Sequence, residues 1–421
     1  MFFRIPSSIL VSILLIMLSH TSESRDQEAV SVKVGAEVLL RDYRSLVEGR
    51  RVGIITNHSA VVGESHLIDV IHEDPDVEIT ALFGPEHGIR GTADAGEAVE
   101  DSKDKLTGAT VYSLYGETRR PTTEMLAEVD VLIFDMQDVG TRFYTYPATM
   151  GRSMISAAEA GIPFLVLDRP NPLGGERIEG AIREDRFRSG IGMYPTPVTH
   201  GMTVGELALM IKGEGWHDGL EELDLHVVKL QGWGRDRLWD ETGLGWVPPS
   251  PNLPDVETTL VYPGTCFFEG TTASEGRGTY EPFLQVGASH VDGKAVAAEL
   301  NRRELPGLRF APVSFTPESI PGMSREPKLL GEKIEGVRLH VTDPRPVYPV
   351  EAGIHILEVF YFALPEEHRD AFFNERGMAI RAGNAETKQR IEAGDGAAAI
   401  ATDWAGDVER FARQREPYLL Y

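Results

Sequence analysis

The hydrophobic positions of this chain come in short continuous runs: RVGIIT (51–56), VEITALF (77–83), TVYSLY (110–115), VDVLIFD (129–135), IPFLVLD (162–168) and LDLHVVKL (223–230). Runs without alternation belong to strands covered on both faces, as in a parallel sheet clad in helices. Amphipathic stretches at 65–72, 123–128 and 150–160 fill several of the gaps as predicted helices. HGMTVGELALMIKGEG adds another, with Thr203 and Glu206 at capping-box spacing and Gly213 as its stop. The pattern predicts an α/β fold, a Rossmann-like domain built on a mostly parallel sheet.

The rhythm changes after WVPPSPNLP (246–254), where four prolines forbid regular structure. Beyond it come predicted strands at 308–315 and 335–342 and helices at 294–303, 350–363 and 404–414. The expected division is a Rossmann-like domain over 25–255 and a smaller α+β domain over 256–421. The second domain opens with YPGTCFFEGTTASEGRGTYEPF (262–283), which reads as a turn-rich loop folding back over the strand ends of the first.

The first residues, MFFRIPSSILVSILLIMLSHTSESR, place one arginine before an apolar stretch at 9–18 and no acid until Glu23. This reads as a signal peptide over 1–24, its apolar core being shorter than the roughly 20 residues a membrane span needs. A secreted or periplasmic protein is expected, with no stable membrane insertion once the signal is removed. The single cysteine, Cys266, forms no internal disulfide and reads as a small buried apolar residue. A formal net charge of -24 over 421 residues argues against a nucleic-acid partner.

In an open parallel sheet, ligands bind outside the carboxyl ends of the strands. Each predicted strand end carries polar residues: Asn57 in TNHS, Glu86 and His87 in GPEHG, Asp135, Gln137, Arg142 and Tyr144 in DMQDVGTRFYTY, Arg169 and Asn171 in DRPNP. No G-x-G-x-x-G follows the first strand, and no P-loop, G-x-S-x-G elbow or H-E-x-x-H helix occurs, so no cofactor is expected. What remains is rich in carboxylates (Glu86, Asp135, Asp138, Glu179, Glu269, Glu275) and tyrosines, among them Tyr112 and Tyr144. Paired carboxylates flanking a bond suit glycoside cleavage. A metal held by Asp135, Gln137 and Asp138 is an alternative, its spacing too loose to name an ion. Each acid is equally readable as a cap or surface residue, and His87 and His200, in glycine-flanked loops, as structural hydrogen-bonders.

GPEHGIRG, FDMQDVGTRFYTY, LDRPNPLGG with IEG after it, HGMTVGELA, PPSPNLP and YPGTCFFEGTTASEGRGT together resemble the bacterial NamZ-like exo-β-N-acetylmuramidases, a family formerly known only as a domain of unknown function. The resemblance runs from about Val34 onward. It implies a catalytic Rossmann-like domain, a smaller second domain and an active site between them that removes N-acetylmuramic acid from the non-reducing end of peptide-free peptidoglycan fragments. Glu86 is the implied main catalytic acid, with Tyr112, Glu269 and Glu275 as further catalytic candidates. Asn57, His87, Asp135, Gln137, Arg142, Tyr144, Arg169, Asn171, Glu179, His200, Asn252 and Arg277 are the substrate-binding candidates. The sugar's lactyl carboxylate calls for a cation, and Arg277 is the first expectation, ahead of Arg169 and Arg142. A cell-wall-fragment binding protein without catalysis and a metal-dependent hydrolase are the competing readings.

Overall fold

The computed structural model describes residues 31–85, 89, 102–114, 116 and 118–421; the expected signal peptide, Glu86 and His87 lie outside them. Among the described residues the first domain is a seven-stranded sheet. Its members are β1 (Arg51–Thr56), β4 (Glu78–Gly84), β5 (Ser102–Lys103), β6 (Thr110–Ser113), β7 (Val131–Asp135), β8 (Phe164–Leu167) and β9 (Leu225–Val228); β2 (Val61–Val62) and β3 (Ser65–His66) form a separate hairpin. The order is β5-β6-β4-β1-β7-β8-β9, and every pair is parallel except β5–β6. Both faces are buried, as continuous apolar runs require: Val52, Ile54, Ile133 and Leu165 pack on one side, Ile55, Leu132, Phe134 and Val166 on the other.

Counting only the parallel strands, the spatial order is third, second, first, fourth, fifth, sixth, the doubly wound arrangement. The winding direction therefore reverses between β1 and β7, which pair with Thr56 opposite Asp135. Connections leaving those two ends diverge to opposite faces, and a crevice opens between them.

The second domain carries a three-stranded antiparallel sheet, β10 (Gln285–Ala288), β12 (Ile334–Val341) and β11 (Leu308–Phe315) in that spatial order. Its core is continuous with residues of the first domain: Val139, Phe143, Leu173, Ala181 and Val198 pack into the cluster built around Phe268, Val337, Leu357 and Phe360. A shared apolar core fixes the two domains against each other.

Several stretches differ from the expected pattern. Residues 123–128 form turns, not a helix. The 262–283 stretch begins as the last turn of helix Val256–Thr265, with Pro263 inside it, and continues as a 3-10 helix at Cys266–Gly270. Gly264 is there for packing: a Cβ on it would stand 1.9 Å from the Pro349 carbonyl oxygen, and one on Gly353 would stand 2.4 Å from Gly264 Cα. Helices Val256–Thr265 and Pro349–Ala363 thus meet backbone to backbone. Short helices Glu375–Ala382, Glu386–Ala393 and Ala397–Asp403 and strand β10 were not anticipated either.

Gly353→Ala should therefore force these helices apart and destabilise the fold by about 1–3 kcal/mol, the usual cost of overpacking. A urea melt with an unchanged midpoint would show that the contact does not constrain the domain.

Candidate active site

At the switch point, Asp135 ends β7 and is fully buried. Arg169, just past β8, donates from Nε and Nη2 to its two carboxylate oxygens at 2.5 and 3.0 Å, and from Nη2 to the Val61 carbonyl at 3.1 Å. This bidentate pair ties the ends of β7 and β8 to the β2–β3 hairpin. Beside it, Asn57 accepts from the Ser59 amide and hydroxyl (3.0 and 2.6 Å) and donates to Tyr146 Oη at 2.5 Å; Tyr146 donates onward to the Pro249 carbonyl at 2.7 Å. Ser59 Oγ accepts from the Gln137 amide at 3.0 Å. Asn57, Gln137, Asp135 and Arg169 are thus brought together. Ser59, Gln137 and Arg169 line a cavity of about 340 Å³ closed by Trp239 and Trp246.

The proline-rich segment walls this cavity on one side and a second on the other. The second, about 140 Å³, lies at the domain junction between Tyr144, Tyr146, Asn252, Glu269, Arg277 and Phe283. Glu269 accepts from Arg277 Nε and Nη2 at 3.2 and 2.9 Å and from Arg381 Nη2 at 2.5 Å. Burial pushes the Glu269 carboxyl up, but Arg277 and Arg381 outweigh it and hold the pKa below the ordinary range, so this group is ionised. Glu275, buried behind it, ion-pairs with Lys328 at 2.7 Å and Arg277 at 3.6 Å. Arg277 also lies over the Phe283 ring at 5.0 Å. The 262–283 stretch does present Glu269 and Arg277 to the first domain.

Two acceptors on these cavity walls have no protein partner among the described residues: Gln137 Oε1 and Asn252 Oδ1. The amide nitrogen of Gln137 is committed to the Asp138 and Pro170 carbonyls (2.7 and 2.8 Å), that of Asn252 to the Met323 carbonyl at 2.8 Å. Each oxygen is therefore turned to receive a hydroxyl or amide proton, and leaving such an acceptor unmet costs about 1–3 kcal/mol.

Other sequence candidates hold backbone instead. Glu179 Oε2 accepts from the Val350 and Glu351 amides (3.0 and 3.2 Å) at the start of helix Pro349–Ala363, and burial pushes its carboxyl up to about 8. Arg142 donates to the Ala181, Thr196 and Arg381 carbonyls at 2.6–2.8 Å. Asn171 bridges the Leu173 amide and the Met202 carbonyl (2.9 and 3.0 Å). His200 Nδ1 accepts from the Met202 amide at 3.2 Å; burial, then Arg415, Arg142 and Arg235, push its pKa down to about 3. Tyr112 stacks on Phe83 at 5.5 Å, on the strand beside the one that leads to Glu86. Asp138 binds the Gly140 amide at 2.9 Å, and burial raises it to about 6. No group of three or more metal-ligating side chains forms among the described residues. Tyr146, one of the tyrosines of FYTY, joins the site, and so do Ser59 and Arg381, which were not singled out: Ser59 stood in the quoted TNHS, whereas Arg381 has no motif.

A doubly wound domain whose switch-point edge faces an ionised carboxylate cluster from an α+β partner defines a two-domain α/β protein with its cleft at the junction. Comparison narrows this: the N-terminal model of the exo-β-N-acetylmuramidase NamZ family matches residues 52–257 and the C-terminal model 260–421, and the chain belongs to that family. It is 43% identical over 406 residues to the peptidoglycan β-N-acetylmuramidase NamZ of Bacillus subtilis (strain 168), covering 96% of this chain and 95% of that one. Two solved DUF1343 family proteins of Bacteroides fragilis NCTC 9343 share the fold, at TM-scores of 0.84 and 0.77 with 37% and 35% identity; each match covers 93% of this chain and 99% of the other.

The depressed pKa of His200 has a stability consequence. An unfolded imidazole protonates near pH 6.5, while the folded one stays neutral until about 3. The unfolded state thus holds the extra proton between those values, and the stability present above pH 6.5 is lost as pH falls towards 3. Between pH 7 and 5 the wild type should lose about 2 kcal/mol more than His200→Asn in urea melts. Parallel losses would place the protonation elsewhere.

Proposed function

We propose that this chain is an exo-acting glycoside hydrolase that releases N-acetylmuramic acid from the non-reducing end of peptidoglycan fragments, working outside the cytoplasm after removal of its signal peptide. Family membership and the peptidoglycan β-N-acetylmuramidase name of the Bacillus subtilis relative support the reading. The observation that carries it is the junction itself: Glu269, fixed and ionised between Arg277 and Arg381, lines a cavity together with the buried acceptor of Asn252.

Glycosidic cleavage needs an acid that gives its proton to the leaving oxygen and an anionic group to balance the positive charge developing on the sugar. Glu86, which follows Pro85 in sequence, is the acid; the ionised Glu269 supplies fixed negative charge in the junction cavity. Glu275 and Lys328 hold Arg277 and the loop in place. Asn252 accepts a hydrogen bond from the sugar beside Glu269 and Tyr144 gives it an apolar wall, while Gln137 offers its acceptor in the neighbouring cavity. The chain's net charge of -24 would repel a nucleic acid.

The wild type should liberate the chromophore from a chromogenic β-N-acetylmuramide, at a rate that a chelator does not change. Glu86→Gln should lower kcat on the order of 10²–10⁴-fold with an unchanged circular dichroism spectrum. A folded wild type without turnover would remove the hydrolase reading in favour of a binding protein, and loss of turnover with chelator would favour a metal hydrolase.

A further inference from the structure

The cavity of about 340 Å³ at the switch point lies apart from the junction cavity that holds Glu269. One wall comes from three strand ends: Ser59 follows β1, Gln137 follows β7 and Arg169 follows β8. That is the edge at which an open parallel sheet binds ligands, and the volume falls within the roughly 300–1,000 Å³ of small-molecule sites. Trp239 and Trp246 close the cavity, their rings edge to face with centroids 4.9 Å apart.

Two polar atoms of the lining residues are buried and have no partner among the described residues. Gln137 Oε1 is an acceptor and Trp239 Nε1 a donor, on residues 2% and 4% exposed. Gln137 cannot turn its amide round to relieve this, because its nitrogen already serves the Asp138 and Pro170 carbonyls. Each unmet group costs about 1–3 kcal/mol until something outside the protein meets it. Charge is treated the opposite way. The cations among the lining residues are Lys33 and Arg169, and both are paired, Lys33 with Glu37 at 3.1 Å and Arg169 with Asp135 at 2.5 Å. Gly245, also on the wall, is not in the left-handed region, and a Cβ on it would meet no atom within 4 Å. Its want of a side chain serves no contact inside the protein and keeps space open beside the indoles.

We infer that this cavity binds a neutral N-acetylated amino sugar, separately from the acidic sugar that is cleaved. The inference rests on the glycan reading above and adds a second, chemically different sugar site. An acetamido group carries one N–H and one C=O, the complement of Gln137 Oε1 and Trp239 Nε1, and its methyl and the apolar face of the ring suit indole walls. An acidic sugar would find no unpaired cation there. The proline-rich segment sets the two cavities side by side: Val247 lines one and Ser250 the other, so no more than roughly 11 Å separates their Cα atoms. This partition is fixed by His58 Nε2, 2.7 Å from the Pro248 carbonyl, by Tyr146 on the Pro249 carbonyl, and by Trp246 Nε1 donating to the Leu253 carbonyl at 3.2 Å. The sugar has two sources, the neutral unit that follows muramic acid in the same fragment and a free sugar, and both present the same acetamido group.

Binding is tested by calorimetry, without turnover. Wild type, Trp239→Phe and Gly245→Leu are titrated with methyl β-N-acetylglucosaminide and with methyl β-glucoside, which lacks the acetamido group. The wild type should bind the acetamido sugar at least about 10-fold more tightly than the glucoside. Trp239→Phe keeps a ring but loses the donor, and should weaken the acetamido sugar about 3- to 10-fold while leaving the glucoside nearly unchanged. Gly245→Leu meets no atom of the protein, so it should fold as the wild type does and obstruct the cavity. A wild type that does not distinguish the two sugars, or an acetamido preference that survives in both variants, overturns the assignment. Kinetics separate the sources. If Trp239→Phe raises KM for a muramic acid–N-acetylglucosamine disaccharide more than for the chromogenic muramide, the site holds the linked unit; equal effects on both, with the binding loss intact, assign the free sugar. Failure of the wild type to cleave either substrate while the acetamido preference holds would remove the hydrolase reading and leave the sugar site standing.

Discussion

The reversal of strand order between β1 and β7 is the constraint on which the site depends. It opens the crevice, and the Asp135–Arg169 pair spans one side of it. Two charges this deeply buried are stable only together, because either alone would bear an uncompensated desolvation cost of several kcal/mol. Once paired, they lock β7, β8 and the β2–β3 hairpin into one rigid edge. The residue before Arg169 extends the lock. Asp168 accepts from the Thr203 hydroxyl, the Gly205 amide and the Tyr421 hydroxyl, so the helix Val204–Gly213 and the last residues of the chain brace the same strand end.

The second domain reaches this edge through contacts that leave little freedom. Glu179 caps the helix Pro349–Ala363, Arg142 gathers carbonyls from both domains, and six buried apolar side chains of the first domain, Leu253 among them, sit in the core of the second. Glu269 is therefore presented to the cleft by a framework that does not need to close on the ligand in order to be assembled. Preorganised charge of this kind costs nothing to reorient when charge develops in a bound sugar.

Much of this was legible in the sequence, and the failures have physical causes. Continuous apolar runs located six parallel strands to within a few residues, because burial on both faces leaves no other pattern. The capping box at Thr203 and Glu206 is present as its spacing required. Pro263 and Gly264, by contrast, advertise a loop, yet they end a buried helix, since close approach to Gly353 outweighs their poor helix propensity. At 123–128 the amphipathic pattern ends in turns, being too short to propagate a helix by itself. Asp135, Gln137 and Arg169 do gather at the switch point, but spacing cannot tell a side chain that faces a ligand from one that ties down backbone. Gln137 and Asn252 line the cavities, while Asn57, Glu179, Arg142 and Asn171, equally prominent in their motifs, are occupied by groups of the protein itself.

That distinction is where coordinates add most. A buried polar group can be satisfied inside the protein or left to be satisfied by something else, and the sequence is silent on which. Glu269 and Arg277 satisfy each other, so they offer a fixed field more than a vacant hand. Gln137 Oε1 and Asn252 Oδ1 are buried acceptors with their own amide nitrogens already committed. A buried acceptor left incomplete points to what the protein binds more directly than a completed pair does.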